Sequence, residues 1–231
     1  MADNSFIKTI EQSIHDNWKR NAISDYKGDS FTYKDVGIII KHYHDEFKAQ
    51  GIERGDRIAL CGQNSARWVI AFMAVVSYGA VAVPILKDFR PEQIYHILEH
   101  SESRILFSGR NVRKLLDTKA MPGHVTMLKI EDITLPEDND ADFNASDLHF
   151  QAETTEDDLC VLNYTSGTTG FSKGVMLPYR ALLSNLQHGY EEFGNILTPG
   201  TRILSILPMA HMYGLMMDHI WGFAMGCHIT V

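Results

Sequence analysis

The sequence predicts an α/β fold, a mainly parallel sheet flanked by helices. Three observations lead there. Between residues 57 and 108, apolar strand-like runs alternate with segments of helical spacing, the order that produces parallel strands joined by crossover helices. Residues 68–86 carry no charge over nineteen positions, yet Gly79 divides the stretch, so it reads as a buried helix and then a buried strand rather than one membrane span. At 231 residues and 45% hydrophobic content the chain has ample material for a core, as one large domain or two small ones.

From the N-terminus, Phe6, Ile7, Ile10, Ile14 and Trp18 form one stripe of a helix over residues 4–18, with Ser5 or Asn4 as its cap. Residues 22–26 and 30–33, separated by Lys27-Gly28-Asp29, read as a hairpin. Val36, Ile39, Ile40, Tyr43 and Phe47 mark a helix from Lys34 that Gly51 stops. The alternating run then places a strand at 57–61, a helix capped by Asn64 or Ser65 and reaching Ser77, and a strand at 80–85 that Pro84 ends. A helix opened by Pro91 runs to Glu99, and a strand follows at 104–108. In residues 110–156 only 125–130 reads as a strand, and the acidic run after it as a solvated connection. Strands at 159–164 and 202–207, a helix at 180–193 between them and a strand at 227–231 complete the chain.

The net charge of −8 is localised. Residues 130–172 hold eleven acidic side chains and no Lys or Arg, and the remainder carries 18 acidic against 21 basic residues, which leaves no nucleic-acid footprint. Cys61, Cys160 and Cys227 are isolated, odd in number and set in apolar segments; they read as reduced core residues of a cytoplasmic protein. Asp3, Glu11 and Asp16 interrupt any apolar leader. The pairs His42/His44 and His96/His100 lack a third ligand nearby and read as solvated helix faces rather than metal sites.

Chemistry concentrates in residues 164–177, Y-T-S-G-T-T-G-F-S-K-G-V-M-L. Gly167, Gly170 and Gly174 admit backbone angles closed to other residues, so consecutive N–H groups can turn inward into an anion-binding nest. The hydroxyls of Thr165, Ser166, Thr168 and Thr169 and the ammonium of Lys173 suit the crowded, charged oxygens of a polyphosphate. The Walker A spacing fails, because the fifth residue after Gly167 is Ser172 and the fifth after Gly170 is Val175. Val175-Met176-Leu177-Pro178 is β-branched or apolar and then broken, so the loop is expected to link two strands. A flexible surface loop is the plain alternative; a lysine set between glycines and flanked by apolar strands argues against it.

Y-T-S-G-T-T-G-x-x-K-G-V-M-L resembles the signature of the adenylate-forming enzymes, the acyl- and aryl-CoA synthetases, luciferases and peptide-synthetase adenylation domains. Ser172 departs from it, where the family usually has proline. F-T-Y-K-D-V, G-I-E-R-G-D-R-I-A-L, N-S-A-R-W, G-A-V-A-V-P-I and H-S-E-S-R-I-L-F are similar to the family's N-terminal sequence and read as scaffold, whereas Leu86-Lys87-Asp88-Phe89-Arg90 departs from its usual N-x-T or Y-x-T. Leu207-Pro208-Met209-Ala210-His211-Met212-Tyr213-Gly214 resembles its L-P-x-x-H-x-x-G motif. The resemblance covers residues 30–108 and 157–231 and implies the first part of the large N-terminal domain of that fold.

It implies a reaction as well: a carboxylate attacks the α-phosphorus of ATP with release of pyrophosphate, and the acyl-adenylate is then captured by the thiol of coenzyme A. On that basis Lys173 and His211 are the expected catalytic residues. Thr165, Ser166, Gly167, Thr168, Thr169, Gly170 and Lys173 are expected to hold the phosphates, with Thr165 also a ligand of Mg2+. His211 would position the substrate; its plain alternative is a histidine satisfied in the core. Met209, Met212, Met216, Met217 and Met225 suit either core filling, the favoured reading, or a channel for a medium or long fatty acyl chain. Up to Val231 there is no Y-G-x-T-E segment with the family's other magnesium ligand, no ribose-binding aspartate and no lysine-bearing C-terminal domain. The chain is therefore expected to be a piece of a larger ligase, inactive alone, with an apolar face open to self-association. A non-catalytic nucleotide-binding or interaction module, and a ligase that loads a carrier protein, remain alternatives. Amino-acid adenylation is disfavoured by the lack of a recognisable charged partner for an α-amino group.

Overall fold

A computed structural model of the chain describes residues 5–137, 143–150, 152–165 and 173–231. Helix α1 (Phe6–Asp16) starts where the Ser5 hydroxyl accepts the Lys8 amide, and it buries Phe6, Ile7, Ile10 and Ile14. Strands β1 (Asn21–Ser24) and β2 (Ser30–Thr32) form the expected antiparallel hairpin. Thr32 and Asp35 make a capping box on α2 (Tyr33–Ala49). Next come β3 (Arg57–Cys61), α3 (Ala66–Tyr78), β4 (Val81–Ile85), α4 (Pro91–His100) and β5 (Ser103–Ser108). Helix α3 is capped by Ser65 and closed by Gly79 at φ 90°, a left-handed angle that favours glycine. It is buried continuously from Trp68 to Ser77, which accounts for the absence of charge over that stretch. The chain continues through α5 (Arg110–Arg113), β6 (Thr126–Lys129), β7 (Leu159–Thr165), β8 (Lys173–Pro178), α6 (Tyr179–Phe193) and β9 (Arg202–Leu204). A short α7 (Met212–Gly214), a π-helix over Leu215–Trp221, α8 (Gly222–Ala224) and β10 (His228–Thr230) end it.

The strands make two sheets. A six-stranded sheet has the order β6-β5-β3-β4-β7-β8, parallel throughout except for the β7–β8 pair. A four-stranded sheet has the order β2-β1-β10-β9, with β10 parallel to both β1 and β9. The second sheet was not legible in the sequence, because β1 pairs with a strand some two hundred positions away. In the larger sheet the chain passes from β3 to β4 on one side and returns to β5 on the other. The strand order therefore reverses between β3 and β5, the place where open α/β sheets form crevices.

Three local expectations are corrected. Pro84 does not end its strand: it stands in register with Leu60, and Ile85 pairs with Cys61 beyond it. On the other side β4 meets β7 through the pair Ala82–Val161, so the missing N–H falls beyond that pairing. The acidic connection is not simply solvated either. Ile130, Ile133 and Leu148 are buried in the main core, and Glu131 is tied to Arg113 and to the Arg110 amide. A few apolar residues anchor that connection, and the charge around them hid the anchors. Finally, the strand expected over residues 202–207 stops at Leu204. The three cysteines are free and buried, and among the described residues no helix is long and apolar enough to cross a membrane.

The reading of His44 as part of a solvated face is also corrected. Its Nε2 lies 3.1 Å from the Ala74 carbonyl and 3.0 Å from the Ser77 hydroxyl, between α2 and α3. His219, within the π-helix, is fully buried with Nε2 3.0 Å from the Ser205 hydroxyl, and its Nδ1 has no partner among the described residues. Burial pushes both imidazoles down to about 4, because a low-polarity surrounding penalises the charged ring. An unfolded chain takes up these protons near the ordinary pKa of about 6.5 while the folded chain does not. Stability is thus complete above about pH 6.5 and falls as the pH drops toward 4, by roughly 1–3 kcal/mol for each ring. Urea midpoints measured between pH 7.5 and 5 should decline for the native chain and decline less for His219→Gln; identical slopes would contradict this assignment.

Candidate functional site

The signature segment folds as a hairpin at the end of the larger sheet. β7 and β8 pair in the register Val161–Leu177, Leu162–Met176, Asn163–Val175, Tyr164–Gly174 and Thr165–Lys173. Two strands linked by a loop is the arrangement expected from the apolar exit of the motif. Thr165 and Lys173 are the last pair before the loop, and residues directly opposite in an antiparallel ladder share a face. Their hydroxyl and ammonium groups therefore flank the mouth of the loop, and both residues are exposed. Among the described residues no carboxylate lies within ion-pair distance of Lys173, so its charge is uncommitted. Ser166, Gly167, Thr168, Thr169 and Gly170 lie outside the described residues.

The approach to the loop is braced from below. Tyr164 is buried, and its hydroxyl lies 2.7 Å from His100 Nδ1, with the two rings edge to face. Burial pushes its phenol up, so it remains a neutral hydrogen-bonding group. Gly174 stands opposite; a Cβ there would come within 3.0 Å of Leu162 Cδ1 and 3.5 Å of Tyr164 Cζ, so this glycine makes room for the tyrosine ring. At the far end of the hairpin Asp158 accepts the Thr155 amide and pairs with Arg54, and these contacts hold its carboxyl below the usual range. His100, read from sequence as part of a solvated face, is instead the partner of the motif tyrosine. The signal available was its place in H-S-E-S-R-I-L-F, one of the segments assigned to scaffold.

His211 follows β9 on a separate segment. Its amide donates to the Pro208 carbonyl at 3.0 Å, its carbonyl accepts the Leu215 amide at 3.0 Å, and its imidazole is exposed. Within this chain the His211 side chain is therefore not part of the core. Asn64 holds the segment, with Nδ2 donating to the Leu207 carbonyl at 2.7 Å and Oδ1 accepting the Met209 amide at 3.1 Å. The Ser65 amide donates to Met209 Sδ at 3.4 Å. Met209 and Met216 are buried in the main core, and Met212 and Met225 pack against it, which favours core filling over an open acyl channel. The residues following His211 wind into the π-helix, a form that often marks functional segments.

No described contact joins His211 to Thr165 or Lys173, yet topology puts them on one edge. β3, β4 and β7 are adjacent and parallel, so the loops leaving the carboxyl ends of β3 and β7 emerge on the same side, about 10 Å apart at ordinary strand spacing. Residues 63–65, which follow β3, carry the Leu207–His211 segment, and the signature loop follows β7. A cleft of about 360 Å³ lined by Asn64, Ser65, Gly109, Arg110 and Asn111 opens beside them, at the reversal between β3 and β5. Among the described residues no group of three or more His, Cys, Asp or Glu side chains could hold a metal ion. Thr165 offers a single hydroxyl oxygen, a donor compatible with a cation that keeps water and phosphate oxygens as its other ligands.

The sequence matches the AMP-binding enzyme family model over residues 10–231, nearly the whole chain. The chain belongs to that family. Fatty acyl-CoA synthetase A of Dictyostelium discoideum is 30% identical over 82% of this chain, which spans 30% of that protein. Luciferin 4-monooxygenase of Photuris pensylvanica is 26% identical over 74% of this chain and 34% of its own length. The chain thus spans about a third of the length of these relatives. An inhibitor-bound N-terminal domain of FACL13 from Mycobacterium tuberculosis superposes with a TM-score of 0.81 at 24% identity, covering 98% of this chain and 57% of that one. At that identity the likeness shows the fold, and it confirms the first part of the adenylate-forming architecture.

In this member of the AMP-binding enzyme family, Gly214 is one of the glycines where packing admits nothing larger. A Cβ there would lie 2.7 Å from Leu207 Cβ and 3.0 Å from the Pro208 carbonyl oxygen. Gly214→Ala must push the His211-bearing segment away from the helix that follows it, at a cost of roughly 1–3 kcal/mol. Chemical denaturation should show that loss, and an unchanged midpoint would mean that the segment yields freely.

Proposed function

We propose that this chain supplies the phosphate-binding loop and part of the carboxylate site of an ATP-dependent acid–thiol ligase that activates a fatty acid, first as acyl-adenylate and then as acyl-CoA. The observation that carries the reading is the common edge: Thr165 and Lys173 at the mouth of the signature loop and His211 on the segment fastened to residues 63–65 emerge on the same side of one parallel sheet. Membership of the AMP-binding enzyme family and a fatty acyl-CoA synthetase among its relatives support the substrate class.

In the first step a carboxylate oxygen forms a bond to the α-phosphorus of ATP and the bond from that phosphorus to the pyrophosphate oxygen breaks. Two anions must meet, so the barrier falls chiefly through charge neutralisation and in-line positioning. Lys173 offers an uncommitted charge on the face shared with Thr165, whose hydroxyl would contribute one oxygen to holding a Mg2+ ion, which would supply further charge neutralisation there. Loop N–H groups of residues 166–170 would complete the cradle. His211, with an exposed imidazole on a held segment, would orient the carboxylate. In the second step the sulfur of coenzyme A bonds to the acyl carbon, AMP leaves and the thiol proton passes to solvent.

We also propose that the chain is the first part of a longer ligase. It spans about a third of the relatives' length, and Leu204 and Ile206 at and just beyond the edge strand β9 are 68% and 79% exposed, an apolar surface suited to further chain. ATP–pyrophosphate exchange by the full-length ligase with medium and long fatty acids tests the activity. Lys173→Ala should slow exchange by roughly 10²–10³-fold, the scale of losing one preorganised charge-stabilising group. An unaltered rate would remove Lys173 from this role, and no exchange with any carboxylate would end the ligase reading.

A further inference from the structure

We infer that Asn64 is a positioning residue for His211, a reading that rests on the carboxylate-orienting role just proposed for that histidine. Asn64 sits in N-S-A-R-W, where the sequence suggests a scaffold or a helix cap. The cap, however, is Ser65, whose hydroxyl accepts the Trp68 amide at 3.2 Å. The asparagine is released from capping and turns outward to another part of the chain, more than 140 positions away.

Its amide grips the backbone on both sides of Pro208. The Leu207 carbonyl can only accept and the Met209 amide can only donate, so the two ends of the Asn64 amide are assigned without ambiguity. Proline has no N–H of its own, so this part of the backbone needs a partner that supplies a donor and an acceptor together. Asparagine offers both at the tip of a short side chain: aspartate lacks the donor, and glutamine sets the pair one methylene further out. Two contacts fix both position and orientation of the segment, and two residues on, the His211 amide closes onto the Pro208 carbonyl.

The other end of the clamp is equally firm. Asp25 Oδ1 accepts the Ala66 amide at 2.8 Å, and Arg67 bridges Asp29 and the Ile133 carbonyl, so the start of α3 is tied to the β1–β2 turn and to the long connection. The exposed imidazole is thereby referred to the most buried helix of the molecule, as precise placement of a site on a rigid element requires.

The test combines a structural and a kinetic reading. In this chain, hydrogen exchange of the Met209 and His211 amides and the His211 ring resonances would be compared in native, Asn64→Ala and Asn64→Asp proteins. The near-isosteric Asn64→Asp guards against failure of the alanine variant to fold. Exchange at these amides should rise about tenfold or more in Asn64→Ala, and the His211 resonances should shift in both variants. The amides of Leu60 and Val83 in the central strands should keep their protection; a merely structural role would speed both groups alike. In the full-length ligase, Asn64→Ala combined with His211→Ala should slow ATP–pyrophosphate exchange no more than His211→Ala alone, whereas multiplying losses would overturn the coupling. Unchanged protection and ring resonances in the Asn64 variants would overturn the clamp itself. If His211→Ala leaves the exchange rate intact while Asn64→Ala loosens the segment, the clamp stands and the role given to His211 falls.

Discussion

Parallel pairing between β3, β4 and β7 is the constraint on which the rest of the structure depends. Parallel neighbours cannot be joined by tight turns; each requires a crossover, and each crossover delivers the chain back to the same starting edge. The carboxyl ends of these strands therefore open together on the opposite edge. The loop after β7 carries the threonine, glycine and lysine motif, and the turn after β3 receives the histidine segment. The antiparallel β8 completes the arrangement: it returns the chain directly, so the loop between Thr165 and Lys173 is held at both ends by one ladder.

The His211 segment is held by an uncharged side chain, and this has an energetic logic. A buried ion pair must offset the desolvation of two charges, whereas a hydrogen bond between neutral groups costs little to bury once both partners are present. Asn64 with the backbone around Pro208 follows the second route, and the buried Tyr164 phenol stays protonated. The charges stay at the surface: Asp158 with Arg54, Arg67 with Asp29 and Lys173 with no carboxylate nearby among the described residues. Among the described residues Lys173 thus stays outside the fold's own ion pairs, unlike Arg54 and Arg67.

Much of this was legible in the sequence, and the reason is local. Helix spans follow from apolar spacing and from caps such as Ser5 and Thr32, because those signals act over one or two turns. The hairpin around the signature loop followed from Val175 to Pro178, which cannot continue a helix. Misreadings came where a residue serves a distant partner. His44 and His100 lie on helices with polar neighbours, and only packing against α3 and Tyr164 shows their use. Asn64 beside Ser65 offers two equally good caps to a local reading, and the choice was made by a segment beyond residue 200.

The sequence by itself determined the α/β class, the order of the elements and the family resemblance, since each is written in short-range spacing and composition. Only the tertiary structure decided that the strands divide into two sheets, that β10 slots between β1 and β9, and that the two motif segments share one sheet edge. The physical reason is the same in each case: these facts are pairings between residues far apart in the chain, set by which apolar faces can be buried together, and local periodicity carries no record of the partner.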